Sequence, residues 1–129
     1  MADQIILIDT SNLIDYFRKS NKDNSKLIEL LRQGYKFQIS AVTEYEIYAG
    51  ATVDQEAFWR TLLNTIGVVF FDSKAVEIAV KVNTALKRKR KQIAIADLFI
   101  AATAISNDLP LSTLNKKHFE RIDNLKLVE

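Results

Sequence analysis

The feature that most constrains the fold of this chain is the apolar run of residues 92–106, QIAIADLFIAATAIS. Apolar side chains cover every side of a helix with this sequence, so the pattern predicts a helix that is buried all round. Asp97 interrupts the run and has apolar residues on both sides of it. An ionised carboxylate in apolar surroundings must be paired, hydrogen-bonded or bound to a metal ion. The fold therefore has to supply a partner for this acid.

The composition limits what that partner can be. The 129 residues include no cysteine and a single histidine, His118. Disulfides and thiolate metal sites are therefore excluded, and a metal ion would be held by oxygen ligands or by His118. The 18 Lys and Arg residues exceed the 16 Asp and Glu residues by a net charge of +2, which is too small to indicate a polyanionic partner by itself.

The sequence predicts neither a signal peptide nor a membrane-spanning segment. Its first ten residues, MADQIILIDT, lack the basic segment of a signal peptide, and no apolar run is long enough to span a bilayer. No linker, repeat or low-complexity segment divides the chain. We therefore expect a soluble cytoplasmic protein with one domain over residues 1–129 and no membrane association.

Short apolar strands alternate with helical segments along the chain. Strands are predicted at residues 4–8, 35–40, 67–71, 111–113 and 125–128. Helices are predicted after a cap at Thr10 or Ser11, at residues 26–33, 43–50, 54–64 and 73–91, and from about Asp97 to residues 107–108, with a helical turn at 116–121. Val76 is expected to face inward. Alternation of this kind indicates an α/β sandwich with a mainly parallel sheet.

Three carboxylates occupy corresponding places in this pattern. Asp9 ends the first strand, Glu46 lies in the first turn of the helix after the second strand, and Asp97 lies near the start of the apolar helix. Strand ends and the starts of the following helices share one edge of a parallel sheet, so the three side chains could meet there. Clustered carboxylates suit a hard cation such as Mg²⁺, and such a site is suited to phosphodiester hydrolysis.

Each acid also has a purely structural explanation. Asp9 could cap the first helix. Glu46 stands three residues after Thr43, which is the spacing of a capping box. Asp97 could cap its own helix, although its apolar context would make an uncompensated charge costly. The spacing alone leaves both interpretations open for each acid.

Four segments of the chain resemble, in order and spacing, those of the PIN-domain ribonucleases, above all the VapC toxins of toxin–antitoxin pairs. They are IILIDTSNLIDYF, SAVTEYEIYAG, IADLFIAATAIS and LSTLNKKHFERI, and together they reach over nearly the whole chain. The resemblance implies a three-layer α/β/α sandwich and an Mg²⁺- or Mn²⁺-dependent endoribonuclease that cleaves RNA, with tRNA as the expected substrate. It also implies a homodimer and a cognate VapB-type antitoxin whose C-terminal segment enters the active-site groove.

The resemblance assigns roles to the three acids. Asp9 and Asp97 match the first and third metal-binding acids of the family. Glu46 matches the second, because Thr43 and Gly50 complete the pattern T-x-x-E-[L/I]-x-x-G around it. Glu46 would share the metal ion or orient the attacking water.

The chain departs from the family pattern at the fourth acid. Many relatives read N-x-x-D-F, whereas here Asn115 and Phe119 flank a segment with His118 at the acid position. His118 could bind a metal ion, contact a metal-bound water or phosphate, or be a surface residue in a loop. Thr10, Thr113 and Asn115 are predicted to position the substrate, and the plain explanation of Thr113 and Asn115 is a cap and a turn residue.

Two further features allow both a functional and a structural interpretation. The basic block KRKRK at residues 87–91 could contact RNA phosphates or form a solvated helix end. The aromatic side chains near the middle of the chain could bind an antitoxin or a second subunit, or belong to the core; they are Tyr45, Tyr48, Phe58 and Trp59.

Two other functions compete with the nuclease. A PIN-fold module without the fourth acid could bind RNA and never cleave it. A phosphoryl-accepting receiver domain also keeps acids at strand ends, but it needs an acceptor Asp after a central strand. The acid after the third strand is Asp72, which stands directly before Ser73 and is predicted to be a helix cap.

Overall fold

The computed structural model describes residues 4–128 and has a parallel four-stranded sheet at its centre. The strands lie in the order β3-β2-β1-β4, and they are β1 (Ile5–Ile8), β2 (Lys36–Ser40), β3 (Gly67–Val69) and β4 (Leu111–Ser112). Strand β1 pairs on both sides, with Leu7 opposite Gln38 of β2 and Leu111 of β4. The predicted parallel sheet is confirmed. Residues 1–3, which begin the N-terminus predicted to lack a signal peptide, and residue 129 lie outside the described residues.

Helices and short 3₁₀ turns connect the strands. The helices are α1 (Thr10–Arg18), α2 (Lys26–Arg32), α3 (Ala41–Gly50), α4 (Glu56–Leu63), α5 (Ser73–Lys89), α6 (Ile95–Ser106) and α7 (Lys116–Phe119), and the 3₁₀ turns are Lys22–Asn24 and Val53–Gln55. Four of the helices begin at an Asp or Ser whose side chain accepts a backbone N–H of the first turn. After α2 the chain turns at Gly34, whose φ of 94° suits glycine at a helix end.

The two faces of the sheet carry separate cores. Ile6 and Ile8 of β1 face one side, and Leu7 between them faces the other. The first core is completed by side chains from α1 to α4, among them Leu13, Leu30, Ile47 and Trp59. The second is completed from α5, α6 and α7, among them Leu86, Ile100, Ala104 and Phe119. This is the predicted three-layer α/β/α sandwich, and coverage of both faces explains why the central strand β1 is apolar without alternation.

The helix caps differ from the predictions at two places. The side chain of Asp9, and not Thr10 or Ser11, caps α1. The helix predicted from Thr43 begins at Ala41, because Ser40 Oγ accepts the Thr43 backbone N–H at 3.0 Å. Glu46 consequently lies in the second turn of α3 and not the first, and the capping box with Thr43 is wrong.

Burial and strand pairing also correct three predictions. The strand predicted at residues 125–128 is reduced to one bridge between Leu111 and Leu127. Val76 is 46% exposed on α5, and Ile95 in the first turn of α6 is 67% exposed, so that helix is not buried all round. Within residues 4–128, no helix has both the length and the apolar character needed to cross a bilayer.

Substitution of the buried Trp59 tests the packing of the first core. Its side chain is 2% exposed, and its ring lies 5.1 Å from Phe17 and 5.2 Å from Phe58 between ring centroids. We expect Trp59→Ala to lower the free energy of unfolding by about 3–5 kcal/mol, because it leaves a cavity. Tyr45→Ala is the matched control, since Tyr45 is 71% exposed, and it should cost less than about 0.5 kcal/mol. Urea unfolding measures both, and equal costs would contradict this core.

Candidate active site

The order of the strands determines where a site can form. The chain proceeds from β1 through β2 to β3 and then crosses to β4 on the other side of β1. In open parallel sheets, ligands bind at such a switch point, outside the carboxyl ends of the two strands. Asp9 directly follows β1 and Thr113 directly follows β4. These two residues therefore meet at the place where this fold class binds its ligands.

Asp9 is held by two hydroxyl groups, one on each carboxylate oxygen. The side chain is 2% exposed, Oδ1 accepts from Ser11 Oγ at 2.5 Å, and Oδ2 accepts from Thr113 Oγ1 at 2.6 Å. Both hydroxyl oxygens in turn accept backbone N–H groups, from Leu114 at 3.0 Å and from Asn115 at 2.9 Å. Such linked hydrogen bonds polarise one another, and they fix the orientation of the carboxylate.

The electrostatic surroundings of Asp9 favour a nearby cation. Burial raises the pKa of Asp9 above its ordinary value of 3.8, and the charge of Asp97 adds to the increase. Hydrogen bonds from Ser11, Thr113 and the Asn12 backbone act in the opposite direction and lower the pKa. A buried carboxylate that is also repelled by a second carboxylate is stabilised in its charged form by a positive ion close to both.

Glu46 belongs to the site through Thr10. Thr10 Oγ1 donates to Glu46 Oε1 at 2.6 Å and lies 3.3 Å from Thr43 Oγ1. This contact joins the first turn of α1 to the second turn of α3, across 36 positions of the chain. The capping explanation of Glu46 is thus replaced by a contact with a predicted site residue.

Asp97 and His118 are neighbours. Asp97 lies in the first turn of α6, and His118 Nδ1 of α7 lies 3.5 Å from Asp97 Oδ2. The side chains are 22% and 52% exposed, respectively. The histidine that the resemblance places at the fourth acid position is therefore next to Asp97.

The three acids line one open cleft of about 540 Å³, together with Thr10 and Asn115. Sequence reasoning missed three charged residues that also line it, namely Asp15 and Arg18 of α1 and Lys19 at its C-cap. The sequence signal for Arg18 and Lys19 is a basic helix end, and no local pattern marks Asp15. As they stand, no three acidic or histidine side chains among residues 4–128 are grouped closely enough to hold a metal ion. The three acids therefore line the same cleft, as predicted, but they are not grouped closely enough to enclose a metal ion.

The oxygen donors of the cleft nevertheless fit a Mg²⁺-type ion. Mg²⁺ is usually bound by one or two carboxylates and keeps several waters, in contrast to ions that are enclosed by protein ligands. Asp9 and Asp97 supply two carboxylates that interact electrostatically. Two carboxylates in an open cleft match the coordination of Mg²⁺, because the open side leaves room for its waters.

Asn12 is a buried residue that supports the site, and sequence reasoning missed it. It is fully buried, and Nδ2 donates to the backbone oxygen of Ser112 at 3.1 Å and to Ser112 Oγ at 2.9 Å. These bonds attach α1 to the end of β4 and so hold Thr113 beside Asp9. The partners are 100 positions apart, so no local sequence pattern could have paired them.

The other predicted features lie away from the cleft. The basic residues 87–91 are not among the residues that line it, and Lys89 Nζ is 3.1 Å from Asp123. Trp59 belongs to the core, with Tyr48 and Phe58 packed against it, whereas Tyr45 is exposed. Asp72 caps α5 by accepting the Ala75 backbone N–H at 3.0 Å, which confirms the predicted cap.

Comparison with known proteins identifies the family. The family model described as PIN domain matches residues 6–125, so the chain belongs to the PIN-domain family. Ribonuclease VapC1 of Methanocaldococcus jannaschii is 37% identical over 95% of this chain and 84% of its own length. Ribonuclease VapC10 of Mycobacterium tuberculosis is 32% identical over 95% of this chain and 91% of its own length.

A solved structure agrees with this assignment. VapBC2 from Rickettsia felis, crystallised with a DNA fragment from its promoter, matches with a TM-score of 0.80 and 25% identity. The match covers 97% of this chain and 98% of that one. Within the PIN-domain family, the chain is therefore of the VapC toxin type, and the receiver-domain hypothesis is wrong.

The hydrogen bonds of Asp9 predict how its pKa responds to mutation. Thr113→Val keeps the shape of the side chain but removes the hydroxyl bonded to Oδ2, so the pKa of Asp9 should rise further. Asp97→Asn removes the nearby negative charge, so the same pKa should fall. Carboxyl carbon NMR shifts measured against pH test both directions. Shifts of the same sign in the two variants would contradict the site.

The raised pKa also predicts a pH-dependent change in stability. The folded protein binds the Asp9 proton more tightly than the unfolded chain, so ionisation destabilises the fold as pH rises from 3.8 through the folded pKa. Asp9→Asn keeps a capping oxygen and removes the charge. In metal-free protein, it should raise Tm above wild type near pH 7, and the gain should vanish below about pH 3.8. The exposed Asp54→Asn is the control, and a lower Tm for Asp9→Asn at neutral pH would refute the expected linkage.

Proposed function

We propose that this endoribonuclease toxin uses Mg²⁺ or Mn²⁺ to hydrolyse phosphodiester bonds in RNA, with tRNA as the substrate. We also propose that residues 1–129 form a single nuclease domain that acts in the cytoplasm. The observation that carries the proposal is the pairing of Asp9 and Asp97. They come from separate elements and share one cleft, and the charge of Asp97 adds to the increase in the pKa of Asp9.

The three acids of the cleft would have different roles. Asp9 and Asp97 would hold the metal ion, and Glu46 would share it or orient the attacking water. The bound ion would lower the pKa of a water molecule and neutralise charge on the attacked phosphate. His118 would be an auxiliary group, because it contacts Asp97 and is exposed enough to reach a substrate.

The hydroxyl groups would act mainly through the acids. Thr113 and Ser11 each donate to Asp9, and Thr10 donates to Glu46, so these hydroxyls hold the carboxylates in place. Thr10 and Thr113 would therefore position the substrate indirectly. Asn115 contributes its backbone N–H to Thr113, and the residue also lines the cleft, where it would meet the RNA directly.

The proposed protein partners follow from the family. VapBC2 from Rickettsia felis is a structural neighbour over nearly the whole chain. A cognate VapB-type antitoxin is therefore the proposed partner of this protein, and its C-terminal segment would enter the cleft. We also propose a homodimer as the assembled state.

A second function has specific support. His118 stands at the place of a fourth acid, and no three ligands are grouped for a metal ion within residues 4–128. A PIN-fold module that binds RNA without cleaving it would be consistent with both observations. Such a module would bind RNA equally well with and without Mg²⁺.

Cleavage of total tRNA by antitoxin-free protein tests the proposal. We expect discrete fragments with Mg²⁺ or Mn²⁺ and none with EDTA. Asp9→Asn/Asp97→Asn should lower the rate by at least about 100-fold, because it removes the two carboxylates that would hold the ion, and the ion would stabilise the charge on the attacked phosphate. Asp54→Asn, outside the cleft, should cleave like wild type. Undiminished metal-dependent cleavage by the double variant would contradict the assigned acids. Metal-independent binding with no cleavage by wild type would favour the binding module.

A further inference from the structure

A second pocket adjoins the cleft and has the opposite charge. It has a volume of about 490 Å³ and is lined by four basic side chains and no acid, namely Lys26, Lys116, Lys117 and His118. The cleft itself is lined by four carboxylates and only two cations. An electrostatically repulsive surface for a polyanion therefore lies next to an attractive one.

The two spaces are joined by shared walls. Leu114 and Asn115 line both of them, and Leu114 is 47% exposed. His118 lines the basic pocket while its Nδ1 lies 3.5 Å from Asp97 Oδ2 of the cleft. A group bound in the pocket would consequently be a direct neighbour of a group bound at the acids.

The basic side chains of the pocket differ in whether an acidic side chain pairs with them. Lys26 pairs with Glu29 at 2.9 Å. Within the described part of the chain, neither Lys116 nor Lys117 takes part in an ion pair, and both residues are exposed. Two adjacent uncompensated ammonium groups beside an acidic centre have no evident role in stabilising the fold. They are suited to contacts with phosphate groups.

We propose that this basic pocket binds phosphate groups of the RNA strand next to the phosphodiester that is cleaved. The inference rests on the proposed function and adds a subsite to it. RNA must approach a cleft in which four carboxylates repel it, and one divalent metal ion together with Arg18 and Lys19 would neutralise these acids without leaving a net positive charge. Lys116 and Lys117 supply the remaining attraction on one side of the acids. Because this contact is made equally in the ground state and the transition state, it affects KM and not kcat.

Binding of a single-stranded oligoribonucleotide in EDTA tests the pocket without requiring cleavage. Lys116→Ala/Lys117→Ala should raise Kd about tenfold at low salt. It should also reduce the slope of log K against log salt by about 1.4, since each phosphate contact on a single strand contributes about 0.7. Lys116→Arg/Lys117→Arg should restore both quantities. Lys87→Ala/Arg88→Ala removes the same charge from the basic block outside both spaces and is the matched control.

The outcomes separate this inference from the proposed nuclease. If the pocket variant loses no more affinity than the control, the pocket is refuted even if wild type cleaves RNA. If it loses affinity while wild type never cleaves with metal, the pocket stands as a site for RNA phosphates beside the acids, and the nuclease proposal fails. A variant that keeps its RNA affinity but loses antitoxin binding would assign the pocket to a protein partner and overturn the inference.

Discussion

The carboxylate of Asp9 is the group on which the arrangement of this site depends. An ionised carboxylate withdrawn from water costs several kcal/mol unless hydrogen bonds replace its hydration. Here the replacement comes from both ends of the chain, through Ser11 in α1 and Thr113 after β4. The need to satisfy one buried charge thus connects the first strand to the last. Once it is met, the neighbouring acid Asp97 is repelled, and the cleft becomes a place that favours a cation.

The sheet provides this carboxylate with its surroundings. Strand β1 is central and covered on both faces, so its own residues must be apolar, and polar groups collect where it ends. Asn12 strengthens the junction by bonding to Ser112 at the end of β4. Side chains of opposite charge line two neighbouring spaces at this edge of the sheet. Acids line the cleft around Asp9, and lysines of α7 line the pocket beside it.

Local sequence predicted the helix caps only in part. The cap at Asp72 is predictable because a single acid precedes its helix, and the structure confirms it. The start of α3 is harder to predict because Ser40 and Thr43 are both good capping residues, and the end of β2 decides between them. The same ambiguity makes Glu46 a candidate for a capping box. Its actual partner, Thr10, lies on another helix and has no local signature.

The sequence by itself determined the layered α/β class, because apolar strands and helices of this spacing can bury their surfaces in few other ways. It also predicted Asp9 and Asp97 as candidate site acids, since acids at strand ends and inside apolar runs are costly and stand out, whereas Glu46 was predicted from the resemblance. Only the tertiary structure decided that Ser11 and Thr113 hold Asp9, that His118 contacts Asp97, and that lysines flank the cleft. These contacts join residues far apart in the chain, and their geometry exists only after the sheet has brought the ends of β1 and β4 together.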